Sequence, residues 1–198
     1  MSYGPGSSET RQRLRHLDDE RAHAVVETAA ERFGWRNGER LPQGRGRGFA
    51  FARYKNLGAY AAIAVEVEVD RESGRVRVKR AVAATDSGEA VNPDGIRNQI
   101  EGGIIQSASW TLYEAVSFDT TRVTSRDWSS YPIMRFAGVP DSIDVHVIDR
   151  PGQPFLGIGE AAQGPAAAAI ANGVADAIGA RLRDLPLTPE RVKRAIGV

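Results

Sequence analysis

The chain has 198 residues, 41% of them hydrophobic and 26% charged, with a formal net charge of +1 and no cysteine. This is the composition of a chain that buries a core, and it offers no overall basic field for nucleic acid or an anionic membrane surface. Without cysteine it has no disulfide, thiolate nucleophile, iron–sulfur ligation or cysteine–zinc site of its own, so any such centre would belong to a partner.

Residues 1–9 are rich in Gly, Ser and Pro and are expected to be a flexible N-terminus, leaving 10–198 as one domain. Neither an apolar N-terminal region nor a run of eighteen apolar residues occurs, so neither a signal peptide nor a membrane span is expected. The expected location is the cytoplasm, or the periplasm where a partner carries the export signal.

The spacing of Leu14, Leu17, Ala24, Val25, Ala29 and Phe33, stopped by Gly34, predicts an amphipathic helix over 18–33. Apolar runs over 44–54, 59–70 and 75–86 predict three antiparallel strands, with Ser73 and Gly74 in the turn between the last two. Facing patterns of Val-Glu-Val-Glu-Val and Arg-Val-Arg-Val predict acid–base pairs across these strands on a solvent face. Asn92-Pro93-Asp94 reads as a helix start, with a capping side chain, a proline at the first helical position and an acid in the first turn. That helix is expected to run to Glu114. A polar loop or short strand at 117–127, a strand at 142–149, a helix over 161–180 and a short helix from Pro189 complete the chain. The order predicts an α+β fold of antiparallel β-strands packed with helices.

Residues with obvious chemistry are few. The Gly-Arg-Gly-Arg-Gly run at 44–48 lacks the Lys-Ser/Thr ending of a phosphate loop and precedes a strand, so it reads as a turn or basic surface loop. His16 and His23 lie on a charged helix face and His146 in a strand, with neither triad nor metal-ligand spacing, and no metal site is expected. Gly102 and Gly103 in mid-helix each cost about 1 kcal/mol against alanine, which implies close approach to the helix backbone by packing or by a ligand. Gln99 and Gln106, two turns apart, share a face near those glycines and offer amide groups. Glu160 follows Gly157 and Gly159 and precedes a helix. It either complements that helix's dipole or presents an ionised carboxylate as a general base. Trp110, Tyr113, Tyr131 and Phe136 read as core aromatics, with a channel lining as the other reading.

The stretches DSGEAVNPDGIRNQIEGGIIQSASWTLYE and GIGEAAQGPAAAAIANGVADAIG, with SYPIMRFAGVPDSIDVHVIDRP between them, resemble the C-terminal part of the molybdenum-binding subunit of the xanthine dehydrogenase/aldehyde oxidase family. The branch most similar is the isoquinoline 1-oxidoreductase β-subunit type, and the resemblance runs from Leu14 to the C-terminus. It implies the second molybdenum-cofactor-binding region of a molybdenum hydroxylase. It also implies that Gln99 hydrogen-bonds the molybdenum ligands or the pterin, with Gly102, Gly103 and Gly159 in the cofactor-binding set. Glu160 would be the catalytic base for water-derived hydroxylation of an aldehyde or N-heteroaromatic carbon.

The family's N-terminal glycine/phenylalanine loop and its further glutamine and serine motifs are not found here, and Ala161 stands where many relatives carry proline. The implied assembly shares molybdenum–molybdopterin with a large molybdopterin-binding chain. Electrons would pass to a [2Fe-2S] iron–sulfur subunit and, where present, a flavin (FAD) subunit. A non-catalytic scaffold that kept the fold is the alternative.

Overall fold

The computed structural model describes residues 15–36, 41–55 and 58–198; the predicted flexible stretch 1–9 and the predicted domain start at 10 lie outside them. Helix α1 (Glu20–Phe33) begins two residues later than the apolar spacing suggests because Asp19 takes the cap. Its carboxylate accepts from the backbone N–H groups of Arg21 and Ala22 at 2.9 and 3.3 Å. Gly34, left-handed at φ 73°, ends the helix.

Strands β1 (Arg45–Tyr54), β2 (Ala59–Val69) and β3 (Val76–Asp86) form the predicted antiparallel meander. The composition of β2 follows from what covers it. Ala61, Ile63, Val65, Val67 and Val69 face one core, while Tyr60, Ala62 and Ala64 face a second core under Val25, Val26 and Ala29 of α1. Past Val65 the α1 side carries Glu66 and Glu68, and the continuous apolar run gives way to alternation. In β3, Lys79 has no partner in β2, because Glu66 pairs with Arg80 and Val67 with Val78. This bulge switches the facing parity, so that Val76 and Val78 share a core with Ala81 and Ala83.

The acid–base expectation holds for register and fails for pairing. Glu66 and Glu68 stand opposite Arg80 and Arg77, but their ion partner is Arg45 of β1, at 2.6 and 3.2 Å. Arg80 instead donates to the carbonyl oxygens of Arg32 and Phe33 at the C-terminus of α1, where the helix dipole favours a cation. Arg77 and Lys79 bridge Asp141.

The sheet is mixed, not purely antiparallel. β4 (Ser142–Val147) pairs parallel with β3, giving the order β1-β2-β3-β4. Helix α2 (Pro93–Leu112) and the irregular segment after it carry the chain back along the sheet, so the returning strand runs in the same direction as β3. The Asn92 side chain caps α2 by accepting from the Gly95 N–H at 2.9 Å, and the helix ends two residues short of Glu114. Segment 117–127 holds one isolated bridge, Phe118 to Val123. Helices α3 (Gln163–Ile178) and α4 (Pro189–Ile196) follow, with Thr188 capping the latter. α2, α3 and α4 all contribute to the core on the sheet face opposite α1.

Of the Gly-Arg run, Gly44 is in a turn, at φ +82°, as read, but residues 45–48 are no surface loop; they open β1. A Cβ on Gly46 would overlap the main chain of Gly173 and Ala177, and one on Gly48 the main chain of Ala169 and Gly173. Helix α3 therefore lies directly on the backbone of β1, which requires small residues on the helix as well as glycine on the strand. Because β1 is an edge strand, its outer polar groups need partners. Asn172 Nδ2 donates to the Phe49 carbonyl at 3.1 Å, and Asp176 accepts from the Arg47 N–H at 2.8 Å.

Of the four aromatics read as core, Tyr113 packs at the core's edge and Trp110 and Tyr131 are half-buried. Phe136 is 91% exposed. No helix among the described residues is long and apolar enough to cross a membrane.

Candidate functional site

One face of α2 runs along the segment that leads into α3. The α2 positions involved are 99, 103, 106 and 107, the spacing of a single helix face. A Cβ on Gly159 would lie 3.9 Å from Gln99 Oε1, and one on Gly103 would lie 3.1 Å from Ala162 Cβ. Gln163 Nε2 donates to Gln106 Oε1 at 3.0 Å, and Ser107 Oγ donates to the Gln163 carbonyl at 3.1 Å. Gly103 is thus explained by packing, and the Gln106 carbonyl oxygen is engaged within the chain. Gly102 is different: it is exposed, and a Cβ there would meet nothing within 4 Å. Internal packing does not account for that glycine.

Gln99, Gly157 and Gly159 border a cleft of about 500 Å³ at the N-terminal end of α2. Ile96, Phe155, Leu156 and Ile158 make its apolar wall, Ser87, Glu89 and Asn92 add polar groups, and no lysine or arginine lines it. Such a surface, mostly apolar with a few convergent polar groups, is the ordinary lining of a small-molecule site.

The two walls of the cleft are joined by main-chain bonds and one buried ion cluster. Leu156 N–H donates to the Ser87 carbonyl at 2.9 Å, and Arg150 N–H to the Gly88 carbonyl at 3.2 Å. Gly88, at φ +85°, lies so close to Pro154 that a Cβ would overlap the Pro154 carbonyl. Asp86, fully buried at the end of β3, accepts from Arg21 at 2.5 Å, from Arg150 Nε at 2.9 Å and from the Gly88 N–H at 3.0 Å. Burial by itself would raise the Asp86 pKa. The hydrogen bonds from Arg21, Gly88 and Arg150 outweigh it and hold the carboxyl below its ordinary value.

Glu160 does not cap α3. The helix begins three residues later, and its N-cap, Ala162, makes no side-chain cap bond. The exposed Glu160 carboxylate instead accepts at Oε2 from the Tyr54 hydroxyl, at 2.6 Å. That bond raises the Tyr54 phenol above its usual pKa, because the carboxylate favours the protonated donor. Neither Gly157 nor Gly159 has a left-handed φ, so the backbone does not require glycine there. No Cβ contact is displaced at Gly157 either, and the surface ahead of Glu160 is simply bare.

The structure therefore brings Gln99 to Gly159 and Gly103 to Ala162, with Gly102 on the exposed flank of the same helix, while Glu160 does not line the cleft and its carboxylate is held by Tyr54. Sequence reasoning missed Tyr54 and the Arg21–Asp86–Arg150 cluster. An acid closing the otherwise apolar Ala-Val-Ala-Ala-Thr run of β3 was a signal for Asp86. Tyr54, an unremarked strand-end aromatic 106 positions from Glu160, offered none.

Residues 8–140 match the family model described as a molybdopterin cofactor-binding domain. The whole chain is 44% identical to part of a nicotinate dehydrogenase subunit of Pseudomonas putida, covering 18% of that protein. Over 89% of its length it is 34% identical to the β-subunit of isoquinoline 1-oxidoreductase of Brevundimonas diminuta, covering 22% of it. Among solved structures, quinoline 2-oxidoreductase from Pseudomonas putida 86 superposes with a TM-score of 0.65 at 32% identity, over 70% of this chain and 19% of that one. Aldehyde oxidoreductase from Desulfovibrio gigas superposes at 0.62 and 28%, over 71% and 16%. The chain spans about a fifth of the length of the curated relatives it matches. On the residues and the fold together, it belongs to the xanthine dehydrogenase/aldehyde oxidase family, within the molybdopterin cofactor-binding domain.

Proposed function

We propose that the chain is the C-terminal part of the molybdenum-binding portion of a hydroxylase, contacting the molybdopterin cofactor through Gln99 and supplying Glu160 as general base. The observation that carries this reading is the meeting of Gln99 with Gly159, the residue just before Glu160, at one cleft, in a chain of this family. The residues fit one side of such a cofactor. The Gln99 amide offers both a donor and an acceptor, and the bare backbone at Gly102, Gly157 and Gly159 lets a flat group approach closely. They do not fit its phosphate end, since no cation lines the cleft, and no group of His, Asp or Glu among the described residues would hold a metal directly. Both tasks fall to the rest of the molybdopterin-binding protein.

When bound, the cofactor supplies Lewis acidity and a two-electron acceptor. Glu160 takes the proton from the attacking water-derived oxygen. With Oε2 held by Tyr54, the proton arrives at Oε1, which has no partner among the described residues. Tyr54 fixes the carboxylate's orientation, Gln99 orients the cofactor edge, and Phe155, Leu156 and Ile158 give the cleft its apolar wall. Electrons leave to a [2Fe-2S] subunit and, where present, an FAD subunit. The cysteine-free chain provides no ligand for the iron–sulfur centre. Relatives named for nicotinate, isoquinoline and quinoline make an electron-poor N-heteroaromatic ring the first substrate class to test, with aldehydes second.

The test is metal and pterin analysis of the assembly recovered from its source. The reading expects about one molybdenum per chain, with Gln99→Ala lowering pterin retention while the chain still folds. An assembly free of molybdenum, or full retention in Gln99→Ala, would count against it.

A further inference from the structure

We propose that the opposite end of α2, together with the segment 115–138, is the docking seat for an apolar, carboxylate-bearing part of the remaining molybdopterin-binding protein. The inference rests on the functional reading above, which names that partner. Helix α2 has 20 residues and is about 30 Å long, so its two ends present separate surfaces. At its C-terminal end lies a second cavity of about 660 Å³, floored by Val76, Leu112, Tyr113 and Leu187. Three arginines, Arg75, Arg77 and Arg135, stand around it.

The acids of that cavity are already engaged. Glu68 pairs with Arg45 at 3.2 Å, and Asp70 accepts from the N–H groups of Glu72 and Ser73 at 2.9 and 3.0 Å. Arg77 is bridged to Asp141. The Arg135 guanidinium makes no ion pair or hydrogen bond among the described residues, whereas Arg75 lies in the field of the Asp70 carboxylate without bridging it. The uncommitted charge facing the cavity is cationic, which selects an acidic occupant.

Segment 115–138 borders the same cavity and has almost no regular structure, yet it is pinned. Tyr131 donates to Glu114 at 2.8 Å, Met134 N–H donates to Ser109 Oγ at 2.9 Å, and Asp119 and Asp127 close local turns. From this fixed scaffold Phe118, Trp128 and Phe136 are 77%, 68% and 91% exposed, and Ile133 lines the cavity. Scattered exposed aliphatics are ordinary. Three large aromatics exposed on one pinned segment, with Arg135 next to Phe136 in the chain, are the residue types enriched at interface cores.

The occupant follows from the length of polypeptide outside these residues. The chain accounts for 16–22% of three curated relatives and 16–19% of the two solved chains named above. In a protein of that length most of the polypeptide lies outside this fold and is available to cover its surface.

The test uses the chain in its own assembly, recovered from its source through a C-terminal tag. Phe136 is replaced by photo-crosslinking p-benzoylphenylalanine, and hydrogen exchange is followed over 115–138. The expected crosslink joins the molybdopterin-binding polypeptide outside the region matching this chain. The segment should exchange slowly in the assembly and fast in the separated chain. Charge reversal at Arg75→Glu with Arg135→Glu should weaken assembly at least tenfold, whereas Arg32→Glu, on the α1 face, should assemble normally; all three positions are exposed, and unchanged melting of each variant chain shows that it folds.

Protection of the segment with normal assembly of the double variant overturns the carboxylate part of the proposal. An assembly containing the molybdopterin-binding polypeptide, with 115–138 exchanging freely, overturns the whole seat and leaves the functional reading standing. Recovery of the chain with no such polypeptide overturns both.

Discussion

Gly48→Ala adds one methyl group where β1 and α3 touch through their backbones. The new Cβ would fall on main-chain atoms of Ala169 and Gly173 in the middle of α3, so no change of rotamer relieves the overlap. To restore carbon contact distances the helix must lift from the strand by about an ångström or more. That loosens the buried contacts of Ala166, Ala169, Ile170 and Val174 and stretches the Asn172–Phe49 and Asp176–Arg47 bonds. Overpacking a filled core costs about 1–3 kcal/mol, and weakening two hydrogen bonds adds roughly 1 kcal/mol more. A total of about 3 kcal/mol lowers the melting temperature by about 6–12 °C in a domain of this size. Thermal and urea unfolding followed by circular dichroism measure it directly. The matched control is Gly102→Ala, which meets nothing and should gain up to about 1 kcal/mol from helix propensity. If Gly48→Ala unfolds within about 0.5 kcal/mol of the parent chain, α3 does not rest on the β1 backbone. The account of its alanine-rich composition then fails.

Asp86→Asn leaves Arg21 and Arg150 without a counterion, and because both are partly exposed the loss at pH 7 should be about 2–4 kcal/mol. The folded-state pKa of Asp86 is depressed, so its contribution is present above about pH 4 and disappears as pH falls through the folded value. The gap between the urea midpoints of parent and variant should narrow as pH falls below about 4, and a gap constant from pH 7 to 3 would rule out the charged cluster. The Tyr54 phenol should titrate above 10 in the parent chain, by ultraviolet difference absorbance, and move down toward 10 in Glu160→Gln, where the charged acceptor is gone. An unmoved Tyr54 titration would mean that the two side chains do not pair.

How far the fold was legible varied with the kind of information each feature needs. The change in β2 from a continuous apolar run to alternation reports where α1 stops covering it, and the caps at Asn92 and Thr188 are local chemistry, so both could be read along the chain. Strand direction is not local. Nothing in the period of 142–149 says that β4 runs parallel with β3, which depends on how α2 crosses the sheet. The partners of Glu66 and Glu68 were misread because Arg80 is drawn to the carbonyls that end α1 and Arg77 to Asp141, while Arg45 arrives from a strand more than twenty positions earlier. Glycines 46 and 48 looked like turn residues because their partner, the backbone of α3, lies far along the chain. At the site, Gln99 and Glu160 stood out through motif and resemblance. Tyr54 became visible only once β1 ended beside the loop before α3.

The most direct measurement is hydroxylation of an N-heteroaromatic substrate by the assembly carrying Glu160→Gln, with molybdenum content determined on the same sample. The account predicts unchanged molybdenum and a turnover lower by about 10²–10⁴-fold, the usual contribution of a positioned general base. Turnover equal to that of the parent assembly, at equal molybdenum content, would contradict it.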